Sequence, residues 1–265
     1  MDFDFSLISV PFAMRPGLRR LDPGTPQLTP LAAHGSLRAD KEAVWRAGAS
    51  RHQVPGFDAA PALHAVARHA TAAGLAWTAQ DEPELAFEED LAVLDGATAT
   101  LPWLCVCVPS HWAPEDKVGL DFAALHGPVA DNAALVAASR QLVALVTDGG
   151  CWERHVWTIS PSGRHDQHPG RHERTPWPAA GDPQQFAARC WLRTERQTFF
   201  PVGQGTRQAV FTIRVRLQPL AQAVAQPWQA VRLHDSLASM SPAVLAYKNL
   251  AAAREPLLRW LETRA

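Results

Sequence analysis

The stretch Gln208-Ala209-Val210-Phe211-Thr212-Ile213-Arg214-Val215-Arg216-Leu217 decides the fold class. Ala209, Phe211, Ile213, Val215 and Leu217 fall on one face, and Thr212, Arg214 and Arg216 on the other. That alternation is the period of a strand, in which successive side chains point to opposite sides. Upstream, Ala188–Arg196 reads as a second strand, with Gly203-Gln204-Gly205 as a glycine-rich turn between the two. Cys151–Ser160 alternates as well, placing Cys151, His155, Trp157 and Ile159 near one face. Trp103–Val108, bounded by Pro102 and Pro109, reads as a short buried strand.

The other segments carry helix signals. Asp58 resembles an N-cap, Pro61 sits in a first turn, Leu63, Val66, Ala67 and Ala70 keep helical spacing, and Gly74 closes the run. A second helix is expected over Pro83–Leu94, with Glu88, Glu89 and Asp90 on its solvated side. Asp121 starts a short helix ending near His126, and Asp131 caps a longer one to about Thr147. Pro161–Gln184 is a His-, Arg- and Pro-rich loop. Residues 219–263 return to helix, with Ser241-Pro242 as an N-cap and first-turn pair and Pro256 opening the last helix. Residues 1–56 are Pro-rich and read as an extended arm that ends with a short helix near Lys41–Arg46. Helices, a strand, helices and then strands fit an α+β fold with an antiparallel sheet, without βαβ alternation. No internal repeat divides the chain. We take 1–265 as one unit, with a wrapping arm (1–56), a core (57–218) and C-terminal helices (219–265).

Charge and composition remove whole classes of function. Lys+Arg 25 against Asp+Glu 26 gives a net charge of −1, which offers no basic excess for nucleic acid or for an anionic membrane surface. No apolar run approaches the ~18 residues that span a bilayer. Met1-Asp2-Phe3-Asp4 lacks the basic start of a leader. Cys105, Cys107, Cys151 and Cys190 form no C-x-x-C pair, so reduced thiols in a cytoplasmic protein are expected. Ten Trp against one Tyr suit a core, an interface or a pocket for a planar ligand. Trp45, Trp77, Trp228 and Trp260 are assigned to core packing.

Few motifs carry chemistry on spacing alone. Nucleophile-elbow, Walker, dinucleotide and zinc-protease patterns are absent. Cys105 and Cys107 share a strand face and read as buried hydrophobes rather than metal ligands. His165, His168 and His172 lie among Arg164, Arg171 and Arg174 and read as a solvated loop. His111 and His126 each flank a Pro-marked turn, and spacing alone favours a structural or surface role for both. Arg193, Glu195 and Arg196 end a strand, either as exposed ion pairs or as a polar cluster facing a pocket.

Five ordered stretches together resemble the α-subunit-like family of heme-dependent oxidative N-demethylases. They are Pro11-Phe12-Ala13-Met14-Arg15-Pro16-Gly17-Leu18, Pro109–Gly119 (similar to S-x-W-x-P-x-x-K-x-G) and Leu125-His126-Gly127-Pro128-Val129 (similar to I-H-x-P-V-P). Leu192-Arg193-Thr194-Glu195-Arg196-Gln197-Thr198 is the fourth, and Phe211-Thr212-Ile213-Arg214 with the later Tyr247-Lys248 is the fifth. The resemblance implies a PAS-like antiparallel sheet flanked by helices and holding heme b. It implies a small N-methylated amine as substrate, O2 as oxidant, and electrons from a partner reductase. His126 is then the axial iron ligand, with His111 a weaker candidate. Lys117, Arg154, Arg193 and Arg196 become candidates for the propionates, and Glu195 for attracting an ammonium or relaying a proton. Trp112, Trp157 and Trp191 become candidate walls of the macrocycle. The chain departs from the pattern at Ala130, at Val156 (an Asn in the family pattern) and over Phe199–Arg207. The departures at Ala130 and Val156 motivate a rival reading as a non-catalytic heme or small-ligand PAS-like sensor, and the Trp content motivates a third, as a structural or interaction protein on this fold that has lost its cofactor.

Overall fold

Strand β7, Gln208–Pro219, lies where the alternation put it, in a computed structural model that describes residues 3–265. Met1 and Asp2, which entered the leader reading, lie outside the described residues. The other strands are β1 (Arg19–Arg20), β2 (Arg51–Gln53), β3 (Asp90–Asp95), β4 (Thr100–Cys105), β5 (Trp152–Ser160) and β6 (Trp191–Pro201). They form one open sheet in the order β1-β5-β6-β7-β3-β4-β2, with every described pairing antiparallel. Helices flank this sheet, so the fold is α+β.

Both faces of the sheet are covered, unequally. On one face Trp157, Ile159 and Leu192 pack into helices Pro183–Ala187, Leu220–Ala223, Pro227–Ala238, Pro242–Tyr247 and Arg254–Glu262. Phe5 and Ile8 of the N-terminal arm are buried in that same cluster. Leu91, Val93, Trp103, Phe200 and Val210 continue the face under helix Ala60–Ala72. The opposite face is closed by helix Ser36–Arg46 over Ile213 and Val215, and by helix Ser139–Thr147 over Leu94 and Phe199. Between those helices Arg154, Val156, Glu195, Gln197 and Phe211 remain half-exposed. This double cover explains why Val210 and Thr212 on the polar side of β7 are buried, while Arg214 pairs with Glu88 at 2.6 Å.

The helix expected over Pro83–Leu94 is only Pro83–Ala86, after which the chain enters β3. Leu91-Ala92-Val93-Leu94 is buried on both sides between β7 and β4, and such a short apolar run has no period to separate strand from helix. Its acidic trio is not a solvated face. Glu89 and Asp90 are 2% and 1% exposed, and Asp90 meets the buried Lys41 at 2.9 Å.

The helix expected from Asp131 divides into Ala133–Ala137 and Ser139–Thr147. Asp131 takes φ 53° and accepts a bond from Ser241 Oγ instead of capping. The loop 161–184 is tied down rather than solvated. Asp166, Gln167 and His168 are buried, Asp166 holds Arg171 and His172, and His168 bonds Glu115. Trp77 and Trp260 are buried, but Trp228 is 52% exposed. The last helix begins at Arg254, two residues before Pro256. Helix Phe122–His126 follows its reading, with Asp121 accepting from the Ala124 amide, and Ser241 caps the helix Pro242–Tyr247 by accepting from the Val244 amide. Among the described residues no helix is long and apolar enough to cross a membrane.

Candidate functional site

Register assembles the polar end of the half-exposed face. Directly paired residues of an antiparallel ladder share a face. Arg154 pairs with Gln197, Val156 with Glu195 and Thr158 with Arg193, so these six side chains form one patch on β5 and β6. Glu195 accepts a hydrogen bond from Ser110 Oγ at Oε1 and one from Gln197 Nε2 at Oε2, the latter at 2.7 Å. Arg193, 2% exposed, donates from Nε to Ser110 Oγ at 2.9 Å. Its other nitrogens reach the carbonyls of Val108 and Arg164 at 3.2 and 3.3 Å. Arg193 is therefore committed to holding the 108–110 and 164 loops, and through Ser110 it sets Glu195.

Arg154 differs. Its Nε is buried without a hydrogen-bond partner, and the guanidinium makes no hydrogen bond or ion pair among the described residues. Burial lowers its proton affinity, opposed by the charge of Glu195.

His126 sits at the end of helix Phe122–His126, its ring tilted 32° against Phe122 with centroids 4.1 Å apart. Its Nδ1 lies 2.7 Å from the Phe122 carbonyl. A carbonyl can only accept, so Nδ1 carries the proton and the neutral ring keeps its lone pair on Nε2. Burial lowers the imidazole's pKa below its ordinary value; the Phe122 bond opposes this, and the nearby Arg154 and Lys117 add to it. His126, Arg154 and Lys117 thus form one neighbourhood. Beside it, Trp112, Val118 and Phe211 pack over the apolar floor of Ala92, Leu104 and Val106, while Phe122 packs with Phe211 against Leu94 and Val143.

Other sequence candidates lie elsewhere. Arg196 projects from the opposite side of β6, held by Glu153 at 2.8 Å and the Pro26 carbonyl. Trp157 is buried on that opposite face, in the cluster with the C-terminal helices. Trp191 packs its indole against Gly163, where a Cβ would come within 2.7 Å of the ring. His111, at φ 60°, lines a narrow crevice with Asp166 and His172; burial and then Arg174 and Arg193 lower its pKa to about 4. A cavity of about 440 Å³ lies apart from His126 and Glu195, where β7 runs past the end of β3; Ser36, His165 and Leu217 are among its lining residues. No group of three or more His, Cys, Asp or Glu side chains among the described residues could hold a metal ion by themselves.

Three contributors were not assigned a role from the sequence. Ser110 and Gln197 stand inside quoted motifs, and the strand period alone puts Gln197 in line with Arg193 and Glu195. Lys248 belongs to the last of the stretches that carry the resemblance, but nothing local to it points to a place beside Glu195. Its Nζ donates to the Trp157 carbonyl at 2.9 Å and lies 5.6 and 5.8 Å from the ring centres of Phe12 and Trp157. Burial lowers its pKa to about 8, against the pull of Glu195.

Residues 83–258 match the family model described as Haem-dependent oxidative N-demethylase, alpha subunit-like. That span is well over half of the chain, and it contains His126, Arg154 and Glu195; the chain belongs to this family. No curated protein matches it.

Proposed function

We propose that the protein is a heme b-dependent oxidative N-demethylase that acts on a small N-methylated amine in the cytoplasm. The observation that carries the reading is His126: a neutral imidazole, fixed by its Nδ1 bond to a helix carbonyl and therefore presenting Nε2. A backbone partner on the far nitrogen is the usual way a protein sets the tautomer of a histidine ligand. This residue fits heme on chemical grounds, as do the adjoining apolar wall and the uncommitted cation Lys117. His126 would hold the iron, Lys117 a propionate, and Trp112 and Phe211 the ring. Four unpaired cysteines suit a reducing compartment.

Heme b, when bound, supplies activation of O2 and oxidation of an N-methyl C–H bond. The net change is R–NH–CH3 + O2 + 2e⁻ + 2H⁺ → R–NH2 + CH2O + H2O, with the electrons from a partner reductase. The chain's own residues bind and orient the amine. Glu195, fixed by Ser110 and Gln197, keeps further lone pairs for a substrate N–H and can take up its proton. Val156, apolar and paired with Glu195, supports the second reading, a heme-binding sensor without turnover.

Hemin titration tests the cofactor. A saturable site with a Soret band is expected, shifted or lost in His126→Ala and unchanged in His165→Ala, which lines the larger cavity. The reverse pattern would reject His126 as ligand. Formaldehyde release from an N-methylamine with O2 and a competent donor supports the enzyme. A loaded protein without turnover supports the sensor.

A further inference from the structure

The polar end of the cleft holds more cations than its carboxylate can serve. Glu195 already accepts from Ser110 and Gln197. Around it stand Arg154 and Lys248, with Lys117 on the His126 side, and none of the three makes an ion pair among the described residues. Arg154 is the most exposed to cost, because its buried Nε has no acceptor among the described residues. An aromatic corner at the outer edge of β5, which could greet an alkylammonium, is taken. Phe12 and Trp157 stand edge to face with centroids 6.1 Å apart, and the Lys248 ammonium lies over both. That ammonium is fixed at the outer edge of β5, which β1 pairs only at Trp152 and Glu153. A simple dialkylammonium would bring another positive charge into this group and leave Arg154 unpaired.

We propose that the substrate is an N-methylated amino acid, whose carboxylate pairs with Arg154 while its amine meets Glu195. Arg154 and Glu195 stand diagonally on adjacent strands of one face, about 7–8 Å apart at that offset, close enough for one small zwitterion to reach both. The guanidinium gains the acceptor it lacks, and the net charge of the cleft is unchanged on binding. Arg154 is thus a specificity-determining residue. This inference rests on the N-demethylase reading and narrows its substrate class.

The test is calorimetric titration of the ferric, hemin-loaded protein without reductant, so that binding is read without turnover. The probes are N-methylglycine, its methyl ester and dimethylamine. N-methylglycine is expected to bind at least tenfold more tightly than the other two, and Arg154→Gln to abolish the difference. Equal binding of acid and ester by the unmodified protein overturns the proposal without relying on any variant. So does an Arg154→Gln protein that keeps the preference, or one that loses hemin affinity alone, which would assign the guanidinium to a propionate. Formaldehyde from dimethylamine with no preference for the acid would overturn this inference and leave the demethylase standing. A preference for the acid without formaldehyde under turnover conditions would uphold the subsite and reject the demethylase. Protein without hemin, titrated in parallel, separates the subsite from the cofactor: a preserved preference there upholds it, and a lost preference in a correctly folded apoprotein overturns it.

Discussion

Replacing Lys41 with Met tests whether the buried ion pair secures the cleft's upper loop. Lys41 and Asp90 are 0% and 1% exposed, and their charged atoms are 2.9 Å apart. Burial alone would discharge the amine, but the Asp90 carboxylate holds it protonated, with its pKa above the ordinary lysine value. Asp90 uses its second oxygen to accept the Val108 amide at 2.8 Å, two residues before Ser110. Lys41→Met leaves a carboxylate buried without its cation, and removing one partner of such a pair costs about 3–5 kcal/mol. In urea, at a slope of about 3 kcal/mol/M, the midpoint falls by about 1–1.7 M. Lys41→Met/Asp90→Leu removes the stranded charge and leaves mainly the unpaired Val108 amide, about 1–3 kcal/mol. The double variant should therefore be at least as stable as the Lys41 single variant, and the cycle should return about 2 kcal/mol or more of coupling. A single-variant loss below about 1 kcal/mol, or strictly additive single effects, would refute the account.

Hemin uptake should be nearly flat from pH 8 to 6.5 and weaken below that range, because His126 must be neutral to bind iron and its pKa is lowered. The same lowering gives stability present above the ordinary histidine value, about 6.5, and lost as pH falls from there through the folded value, since the unfolded chain takes the proton first. Urea titrations across pH should lose this component in His126→Ala. Gly96→Ala would put a Cβ 2.3 Å from Thr147 Oγ1 and 2.7 Å from the Arg207 carbonyl. A loss of about 1–3 kcal/mol is expected in thermal melts, only partly recovered with Thr147→Ala because the carbonyl stays. Trp260→Ala, at a fully buried indole bonded to Gln184 at 2.9 Å, should cost about 3–5 kcal/mol by urea denaturation.

The alternating β7 was legible because its register with β6 follows the period through its whole length. The row Arg193, Glu195 and Gln197 could be read for the same reason, and so could the short helix that carries His126, since Asp121 advertises its start. β3 was not legible, because a strand covered on both faces loses the polar positions that reveal alternation. The burial of Glu89 and Asp90 depends on Lys41, 48 and 49 residues away, and no local rule contains that distance. Arg193 and Arg154 look alike in the sequence. Only the fold shows that one is spent on loop carbonyls and the other has no partner among the described residues. Lys248 reaches the cleft because the C-terminal helices return to the outer edge of β5, a consequence of tertiary packing alone.

The arm that threads Phe5 and Ile8 into the C-terminal helices ties together residues made at opposite times. Arg232 donates to the carbonyls of Ile8 and Ser6, each at 2.9 Å, and the Phe12 amide donates to Ser239 Oγ at 2.9 Å, across 224, 226 and 227 residues. At translation rates of about 5–20 residues per second, the arm is outside the ribosome for roughly 10–45 s before its partners exist. Its apolar side chains spend that interval as a free hydrophobic segment, open to chaperone capture. Phe12 can meet Lys248 and Ser239 only once the C-terminal segment has been made, so this corner of the molecule cannot be completed before the last part of the chain exists.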